Sequence, residues 1–273
     1  MVFEEIIVNQ FLQSFSAPLL DLFFKAITYF GHPAPWIIIA AWLFWIGKEK
    51  KSLMVASIIL FSGVVTGALK MVIARPRPEG ILILEHDAYG YSMPSGHSTL
   101  AAAMYSFFEK KVKPYERALF LALVLLTVIS RMYLGVHYLT DVLAGLLLGY
   151  LIGKAALAFE KRIEKSRLHI TKAKEELGII LVLAAAVALL FVLPEELVLA
   201  QALLGYFLGF ALHRHLKKNN PKNKKAVLVS GTIILGAIFG VAYLNSGAAQ
   251  QLALFLGGLF ITTWPAACAR LRL

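Results

Sequence analysis

Long uninterrupted apolar runs constrain this chain most, because several approach the length of a membrane-spanning helix. Of the 273 residues, 59% are hydrophobic and 16% are charged, whereas a soluble domain has roughly 45–50% apolar and about 25% charged residues. The runs are continuous rather than alternating, which argues against a membrane β-barrel. This pattern excludes a disordered chain, a coiled coil and an ordinary soluble enzyme, and it predicts an integral membrane protein with helices of about 20 residues.

The two ends of the chain add two further expectations. Cys268 is the single cysteine, which excludes an internal disulfide and a cysteine-built metal site. The first residues, MVFEEII, are acidic. A cleavable signal peptide would begin with basic residues, so we expect the first helices to be retained.

Hydropathy predicts an all-α, polytopic transmembrane bundle of about nine helices. Residues 2–30 are amphipathic and are predicted to lie at the membrane interface. Residues 74–96 form a polar loop rich in proline and glycine. The predicted spans are 34–47, 52–73, 97–111, 116–131, 137–158, 177–193, 196–213, 226–244 and 250–268.

The distribution of basic residues predicts the orientation of the bundle. The loops after the odd-numbered spans, together with the C-terminus, hold 22 of the 27 lysines and arginines. That side is expected to be cytoplasmic, because positive charge is enriched in cytoplasmic loops. Only Lys25, Lys70, Arg75, Arg77 and Arg131 remain for the other face. The net charge of +11 therefore reflects topology, and no nucleic-acid partner is expected.

Three polar clusters lie at helix ends that open on this second face. The first runs from Lys70 to Pro78, the second from Pro94 to Ser98, and the third from Ser130 to Asp141. A lysine in the last turn of an apolar helix needs a functional reason. Hydropathy alone sets these helix ends, so the convergence of the three clusters indicates one shared site.

Residue types in these clusters suit the binding and transfer of phosphate. Lys70, Arg77 and Arg131 are three cations, and a guanidinium grips a tetrahedral oxyanion through two N–H groups. Ser95 and Gly96 precede a helix, whose N-terminus attracts an anion. His137 and Asp141 are four residues apart, so the carboxylate can orient the ring for nucleophilic attack. His97 is placed to protonate a leaving oxygen.

The order and spacing of these residues resemble the type 2 phosphatidic acid phosphatase superfamily. The three motifs read K70-MVIARP-R77-P78, P94-S95-G96-H97 and S130-R131-MYLGV-H137-YLT-D141. Arg75-Pro76 offers a second R-P pair, but the family spacing from Lys70 selects Arg77 and leaves Arg75 as an accessory cation or a loop residue. The resemblance covers about residues 18–158.

The resemblance implies a phosphatase that uses neither a metal nor another cofactor. His137 would attack phosphorus and form a phosphohistidine, Asp141 would orient it, and His97 would be the general acid. The phosphoryl oxygens would be held by Lys70, Arg77, Ser95, Gly96 and Arg131. The implied architecture is a six-helix-type core with a C-terminal four-helix extension. We divide the chain into a catalytic membrane domain, a basic cytoplasmic linker and a C-terminal membrane domain of unknown role, at residues 1–158, 160–176 and 177–273.

Several residues outside the motifs have a simpler expected role. His32, His86, His169, His213 and His215 have no partner at useful spacing and are predicted to be interfacial or loop residues. Glu85, His86 and Asp87 are predicted to be ordinary solvent residues, with contact to a head group as the alternative. Glycines at four-residue spacing, such as Gly145, Gly149 and Gly153, favour close helix packing and leave a homo-oligomer possible.

The predicted function is an integral membrane lipid phosphatase of the cell membrane with its site on the non-cytoplasmic side. Its partners would be the bilayer and a lipid phosphate substrate: a polyprenyl diphosphate such as undecaprenyl diphosphate, phosphatidylglycerophosphate or phosphatidate. Three alternatives stay open. They are a lipid phosphotransferase on the same site, a non-catalytic scaffold or lipid transporter of this fold, and a vanadium-dependent oxidase, against which the apolar spans argue.

Overall fold

All the regular secondary structure in the described part of the chain is helical, as seen in a computed structural model. It comprises residues 2–85, 90–165, 197–216 and 223–270, with residues 184, 187 and 221 as single positions. A short 3₁₀ turn, Tyr29–Gly31, follows the second helix. The helices are α1 Val2–Gln13, α2 Pro18–Thr28, α3 Pro33–Trp45, α4 Glu49–Ile73, α5 Gly96–Phe108, α6 Pro114–Tyr133, α7 Leu139–Lys165, α8 Leu197–Leu216, α9 Lys224–Leu244 and α10 Gly247–Arg270.

Four of the described helices are long and apolar enough to cross a membrane. They are α4, α7 over Leu139–Arg162, α9 and α10. A fifth candidate is the pair of helices Pro18–Gly31 and Pro33–Trp45, which are bent by 49° relative to each other. Nine spans are therefore not confirmed. The predicted span 177–193 falls almost wholly outside the described residues. Helix α5 has 13 residues, about 20 Å at 1.5 Å per residue, against a hydrocarbon core of about 30 Å.

The chain forms two compact units. The first contains residues 1–35 and 61–167, and the second contains residues 36–60 and 168–273. Residues 36–60, assigned from the sequence to the catalytic domain, group here with the second unit. The predicted domain boundaries themselves stay a prediction.

In the first unit, α7 packs directly against α5 through glycine. A Cβ atom on Gly149 would lie 2.0 Å from the main-chain oxygen of Thr99, and one on Gly153 would lie 2.0 Å from Oγ of Ser106. Only a residue without a side chain lets the two helices approach this closely. Gly149 and Gly153 therefore allow the predicted close packing between two helices of the same chain.

The first unit also includes α1 and α2, which combine an exposed apolar surface with an inward-facing one. Val8 and Leu12 pack on a buried cluster from α6 and α7. Large apolar side chains on the other side of these helices are exposed, namely Ile7, Phe11, Leu19 and Leu22, and so is Phe15 in the turn between the two helices. Exposed apolar residues of this kind suit the membrane interface predicted for residues 2–30.

The second unit has its own core, in which α8 packs along α10. The indole Nε1 of Trp45 donates to the carbonyl of Ile261 at 2.7 Å, and the hydroxyls of Ser52 and Tyr206 are 2.6 Å apart. His213 is buried against the ring of Phe44 and lies 3.7 Å from a carboxylate oxygen of Glu49. The interpretation of His213 as an interfacial or loop residue was wrong, because α8 carries it into this core.

Candidate active site

The first motif begins at the end of α4 and continues into the following loop. Lys70 occupies the last turn of α4, as predicted. Past the helix, Arg77 reaches across to the loop before α7. Its Nη1 donates to the carbonyl of Val136 at 2.9 Å, and its Nε donates to the carbonyl of Gly90 at 3.1 Å. The same Nη1 lies 3.5 Å from Nε2 of His137, so Arg77 faces the side of the ring that would attack phosphorus.

His137 lies in the turn between α6 and α7, not on the first turn of the predicted helix 137–158. Gly135 makes this turn with a φ of +79°, and a Cβ atom there would lie 2.3 Å from the carbonyl oxygen of Leu82. Glycine is therefore required by both conformation and space. The turn leaves His137 only 2% exposed, with its two ring nitrogens directed to different partners.

Asp141 lies behind the other nitrogen of that ring. Its Oδ2 is 3.5 Å from Nδ1 of His137 and accepts from the main-chain N–H of Tyr138 at 2.9 Å. The first of these distances is longer than the usual N–H···O hydrogen bond. Its Oδ1 accepts from Nη1 of Arg75 at 2.7 Å. The spacing of four residues places ring and carboxylate together, although only Asp141 belongs to the helix.

Arg75 binds this carboxylate, which the sequence did not reveal. Its guanidinium lies 4.1 Å above the ring of Tyr138 and also pairs with Glu5 at 2.9 Å. The position of Arg75 follows from Ala74, whose φ of +50° turns the chain sharply at the end of α4. Two arginines of one loop, separated by one residue, thus act on different partners: Arg75 on Asp141 and Arg77 beside His137.

Arg131 extends from α6 into the same region and is almost completely buried. Its Nη1 donates to Oγ1 of Thr28 at 2.8 Å and lies 3.4 Å from a carboxylate oxygen of Glu85. Its buried Nε has no hydrogen-bond partner among the described residues. A buried donor of this kind is costly unless a ligand satisfies it. Glu85 is therefore an ion-pair partner here rather than an ordinary solvent residue, while His86 and Asp87 lie outside the described residues.

The second motif forms the N-terminus of α5. Ser95 caps this helix, since its Oγ accepts from the N–H of Ser98 at 3.4 Å, and its own N–H donates to the carbonyl of Asp141 at 3.0 Å. Both groups are thus engaged within the protein, and Ser95 as a direct phosphate ligand stays a prediction. Gly96 has open space where a Cβ would stand.

His97 follows on the first turn of α5 and faces the residues of the other two motifs. The positive charges of Arg131 and Lys70 act on its ring. The ring of His32 lies 5.8 Å from that of His97, measured between centroids. The interpretation of His32 as a residue without a relevant partner was wrong, because the 3₁₀ turn before α3 brings it to the second motif from 65 residues away.

The electrostatic surroundings keep His137 in its neutral form. Burial, followed by the positive charges of Arg131, Arg77 and Lys70, lowers the pKa of His137 well below its ordinary value. A neutral imidazole has a free lone pair and is the form that acts as a nucleophile. Within the described ranges, no three His, Cys, Asp or Glu residues are grouped so as to hold a metal ion.

Helix α1 supplies two further polar residues, whose contacts were not predicted. Nδ2 of Asn9 donates to the carbonyls of both Met132 and His137 at 2.9 Å. Nε2 of Gln13 donates to the carbonyls of Leu82 and Tyr133, at 2.6 and 2.9 Å. The available signal was the spacing of Glu5, Asn9 and Gln13, which repeats every four residues and places three polar side chains on one face of the helix.

Comparison with known proteins identifies the family. The family model of the PAP2 superfamily matches residues 51–165. The chain is 33% identical over 141 residues to phosphatidylglycerophosphatase B of Bacillus subtilis, spanning 48% of this chain and 68% of the relative. It is 32% identical over 156 residues to the lipid A 1-phosphatase of Rhizobium etli, and 32% identical over 123 residues to the undecaprenyl-diphosphatase BcrC of Bacillus subtilis.

These two alignments span 46% and 43% of this chain, and 65% and 62% of the relatives, which is less than two thirds of their length. Among solved structures, a transmembrane PAP2-type phosphatidylglycerolphosphate phosphatase from Bacillus subtilis superposes with a TM-score of 0.52 at 27% identity. That alignment covers 60% of this chain and 88% of the other. With the three motifs in one place on a helical scaffold, the chain belongs to the PAP2 superfamily and is a multi-pass membrane phosphatase of that family.

Proposed function

We propose that this protein hydrolyses a lipid phosphate or diphosphate through a phosphohistidine formed on His137, without a metal or other cofactor. One observation carries the proposal. The ring of His137 lies between a carboxylate and a guanidinium, with Nδ1 toward Asp141 and Nε2 toward Arg77. The carboxylate stabilises the positive charge that develops on the ring during attack, and the guanidinium attracts the phosphoryl group to the attacking nitrogen.

In the first step, the lone pair of Nε2 of His137 attacks phosphorus, and the bond from phosphorus to the lipid oxygen breaks. The negative charge of the bound phosphate favours the protonated form of His97. His97 then gives its proton to that oxygen, so the lipid leaves as an alcohol, or as a monophosphate when the substrate is a diphosphate. Lys70, Arg77 and Arg131 stabilise the negative charge on the phosphoryl oxygens. The open space at Gly96 and the N-terminus of α5 support a place for one of these oxygens.

In the second step, water attacks phosphorus while His97 takes one of its protons. The bond between phosphorus and Nε2 breaks, and inorganic phosphate leaves. Both histidines are then in their starting protonation states, so the cycle balances. Microscopic reversibility favours one group serving as acid and then as base.

The substrate is a membrane lipid, and phosphatidylglycerophosphate is the first candidate. The reason is that the alignment with phosphatidylglycerophosphatase B covers 68% of that relative. Undecaprenyl diphosphate follows from a second relative, and phosphatidate completes the set. The experiment is phosphate release from each lipid by purified protein in detergent. His137→Ala is expected to abolish release and His97→Ala to slow it strongly. EDTA is expected to have no effect, and vanadate to inhibit.

Glu160→Gln is a matched control, because it removes a carboxylate and its ion pair with Lys111. Glu160 lies 19 residues after Asp141 on α7, which is about 28 Å along the helix. Release by H137A equal to that of the unaltered protein would overturn the covalent mechanism. Transfer of labelled phosphate to a lipid alcohol, instead of to water, would identify a phosphotransferase.

We further propose that the site faces the non-cytoplasmic side of the cell membrane in a bundle of about nine spans. The end of α4, the start of α5, the end of α6 and the start of α7 meet at the site, whereas the basic loop 109–113 and the basic end of α7 belong to the opposite helix ends. A cysteine in place of exposed Ile83 should react with an impermeant reagent from outside, and one in place of exposed Lys110 only after lysis. The reverse pattern would invert the orientation.

A further inference from the structure

A chain of charged contacts leads from α1 to the proposed nucleophile. Oε1 of Glu5 accepts from Nη2 of Arg75 at 2.9 Å. Nη1 of the same guanidinium donates to Oδ1 of Asp141 at 2.7 Å, and the other oxygen of Asp141 faces His137. The second oxygen of Glu5 accepts from both the N–H and the hydroxyl of Thr140, at 3.0 and 2.7 Å. Glu5 is therefore held in place by several groups at once.

The charge of Glu5 matters because Arg75 alone would neutralise Asp141. A carboxylate paired with a guanidinium is a weak stabiliser of a neighbouring cation, since the two charges nearly cancel at a distance. With Glu5 added, two carboxylates and one guanidinium carry one net negative charge behind the ring. That charge lies on the side opposite the phosphate and favours the positive ring that forms when Nε2 becomes bonded to phosphorus.

The fold places Glu5 in register with the nucleophile. Asn9, one helical turn after Glu5, donates to the carbonyl of His137 itself at 2.9 Å. Gln13, one further turn along, binds the carbonyl of Leu82 in the loop that carries Arg75. The same face of α1 thus fixes the turn of His137 and the loop of Arg75 relative to Glu5.

We propose that Glu5 is a positioning residue of the phosphatase reaction. It acts through Arg75 to hold Asp141 in place behind His137, and it leaves one net negative charge on the cluster of Glu5, Arg75 and Asp141. This inference rests on the proposed phosphohistidine mechanism. Lys70, Arg77, His97, Arg131 and Asp141 are the charged or titratable groups that act on His137 directly. Arg75 and Glu5 lie behind Asp141 and reach the ring only through it.

The test is Glu5→Gln, which keeps an oxygen acceptor of nearly the same shape and removes the charge. We expect kcat for phosphatidylglycerophosphate to fall about fivefold to fiftyfold, with KM changed less than about twofold. The acidic limb of kcat/KM against pH should move to lower pH, because loss of a negative charge disfavours the protonated ring. Glu5→Asp, which keeps the charge, should recover most of the activity.

Arg75→Gln supplies an independent reading, since loss of this cation should move the same limb to higher pH. In the R75Q background the E5Q change should alter kcat by less than about twofold, because the intermediary is gone. Glu160→Gln should leave kcat and the pH profile unchanged. A thermal unfolding midpoint in detergent, measured for every variant, separates loss of fold from loss of activity.

Three results would overturn the proposal: an E5Q protein with unaltered kcat and pH profile, an E5Q effect of equal size with and without Arg75, or an E5D protein as impaired as E5Q. If E5Q does not fold, an unmoved acidic limb in R75Q overturns it instead. Failure of the proposed mechanism would give a different experimental result. H137A would then release phosphate, whereas an inactive H137A beside an unaffected E5Q refutes only the role of Glu5.

Discussion

Asp141 presents its two carboxylate oxygens to different partners, with Oδ2 3.5 Å from Nδ1 of His137 and Oδ1 held by Arg75. A carboxylate fixed in this way has little freedom to rotate away from the ring. At 3.5 Å, its negative charge favours the tautomer of His137 with the proton on Nδ1, and we expect this to leave Nε2 with its lone pair toward Arg77.

Asp141→Asn should lower kcat by roughly 10²-fold to 10⁴-fold, because a neutral amide neither stabilises the positive ring nor selects the reactive tautomer. The measurement is single-turnover phosphate release, together with trapping of the phosphohistidine at short reaction times. KM should change far less than kcat. A D141N enzyme within threefold of the unaltered protein would show that the carboxylate is not needed by the nucleophile.

The pH dependence should report the cations around His137. Burial and the charges of Arg131, Arg77 and Lys70 lower the pKa of His137, so the neutral nucleophile persists well below pH 6.5 and activity is lost only as pH falls through the lowered value. Arg77→Gln removes one of these charges and should raise that pKa. The acidic limb of kcat/KM should therefore move to higher pH, in addition to a loss of rate.

The substrate ionises in the same way with the unaltered protein and with R77Q. A difference between their pH profiles therefore reports a change in the protein. Glu160→Gln should leave the limb in place. A limb that does not move in R77Q, or that moves to lower pH, would contradict the placement of Arg77 beside the ring.

We expect Glu85 to compete with phosphate for Arg131. Its carboxylate lies 3.4 Å from Nη1 of that residue, where a phosphoryl oxygen is expected to bind. Glu85→Gln should strengthen inhibition by vanadate and by inorganic phosphate about twofold to tenfold, corresponding to an ion pair of roughly 0.5–1.5 kcal/mol at a partly exposed site. The inhibition constant is the measurement, and weaker inhibition in E85Q would contradict the competition.

The glycine contacts between α5 and α7 predict a difference between two chemically identical substitutions. Gly149→Ala places a methyl group 2.0 Å from the main-chain oxygen of Thr99, and overpacking of this kind costs about 1–3 kcal/mol. Gly240→Ala meets nothing within 4 Å and gains helix propensity of up to about 1 kcal/mol. The thermal unfolding midpoint should fall in the first variant and stay or rise in the second. Equal midpoints would contradict the close packing.

The sequence predicted the convergence of the three motifs because each one lies at a helix end and hydropathy fixes which ends share a side. It also predicted Lys70 in the last turn of its helix. These inferences depend on local periodicity and on the alternation of helices across a membrane, both of which can be read along the chain.

The contacts of Arg75, Glu5 and Asn9 could not be predicted in the same way. The pair Asn9 and His137 is separated by 128 residues, and nothing in helical periodicity states which loop a polar face will meet. The number of spans is not confirmed, for a different reason. Apolar runs predict helices, but α5 with 13 residues owes its place to packing against α7 rather than to its own length.

The main-chain contact between α5 and α7 bears on how relatives with differently named substrates can share one chemistry. Because no side chain separates the two helices at Gly149, their spacing is fixed by the peptide backbone itself, and with it the gap between the second and third motifs. We therefore expect a change of lipid preference to arise from substitutions outside that gap.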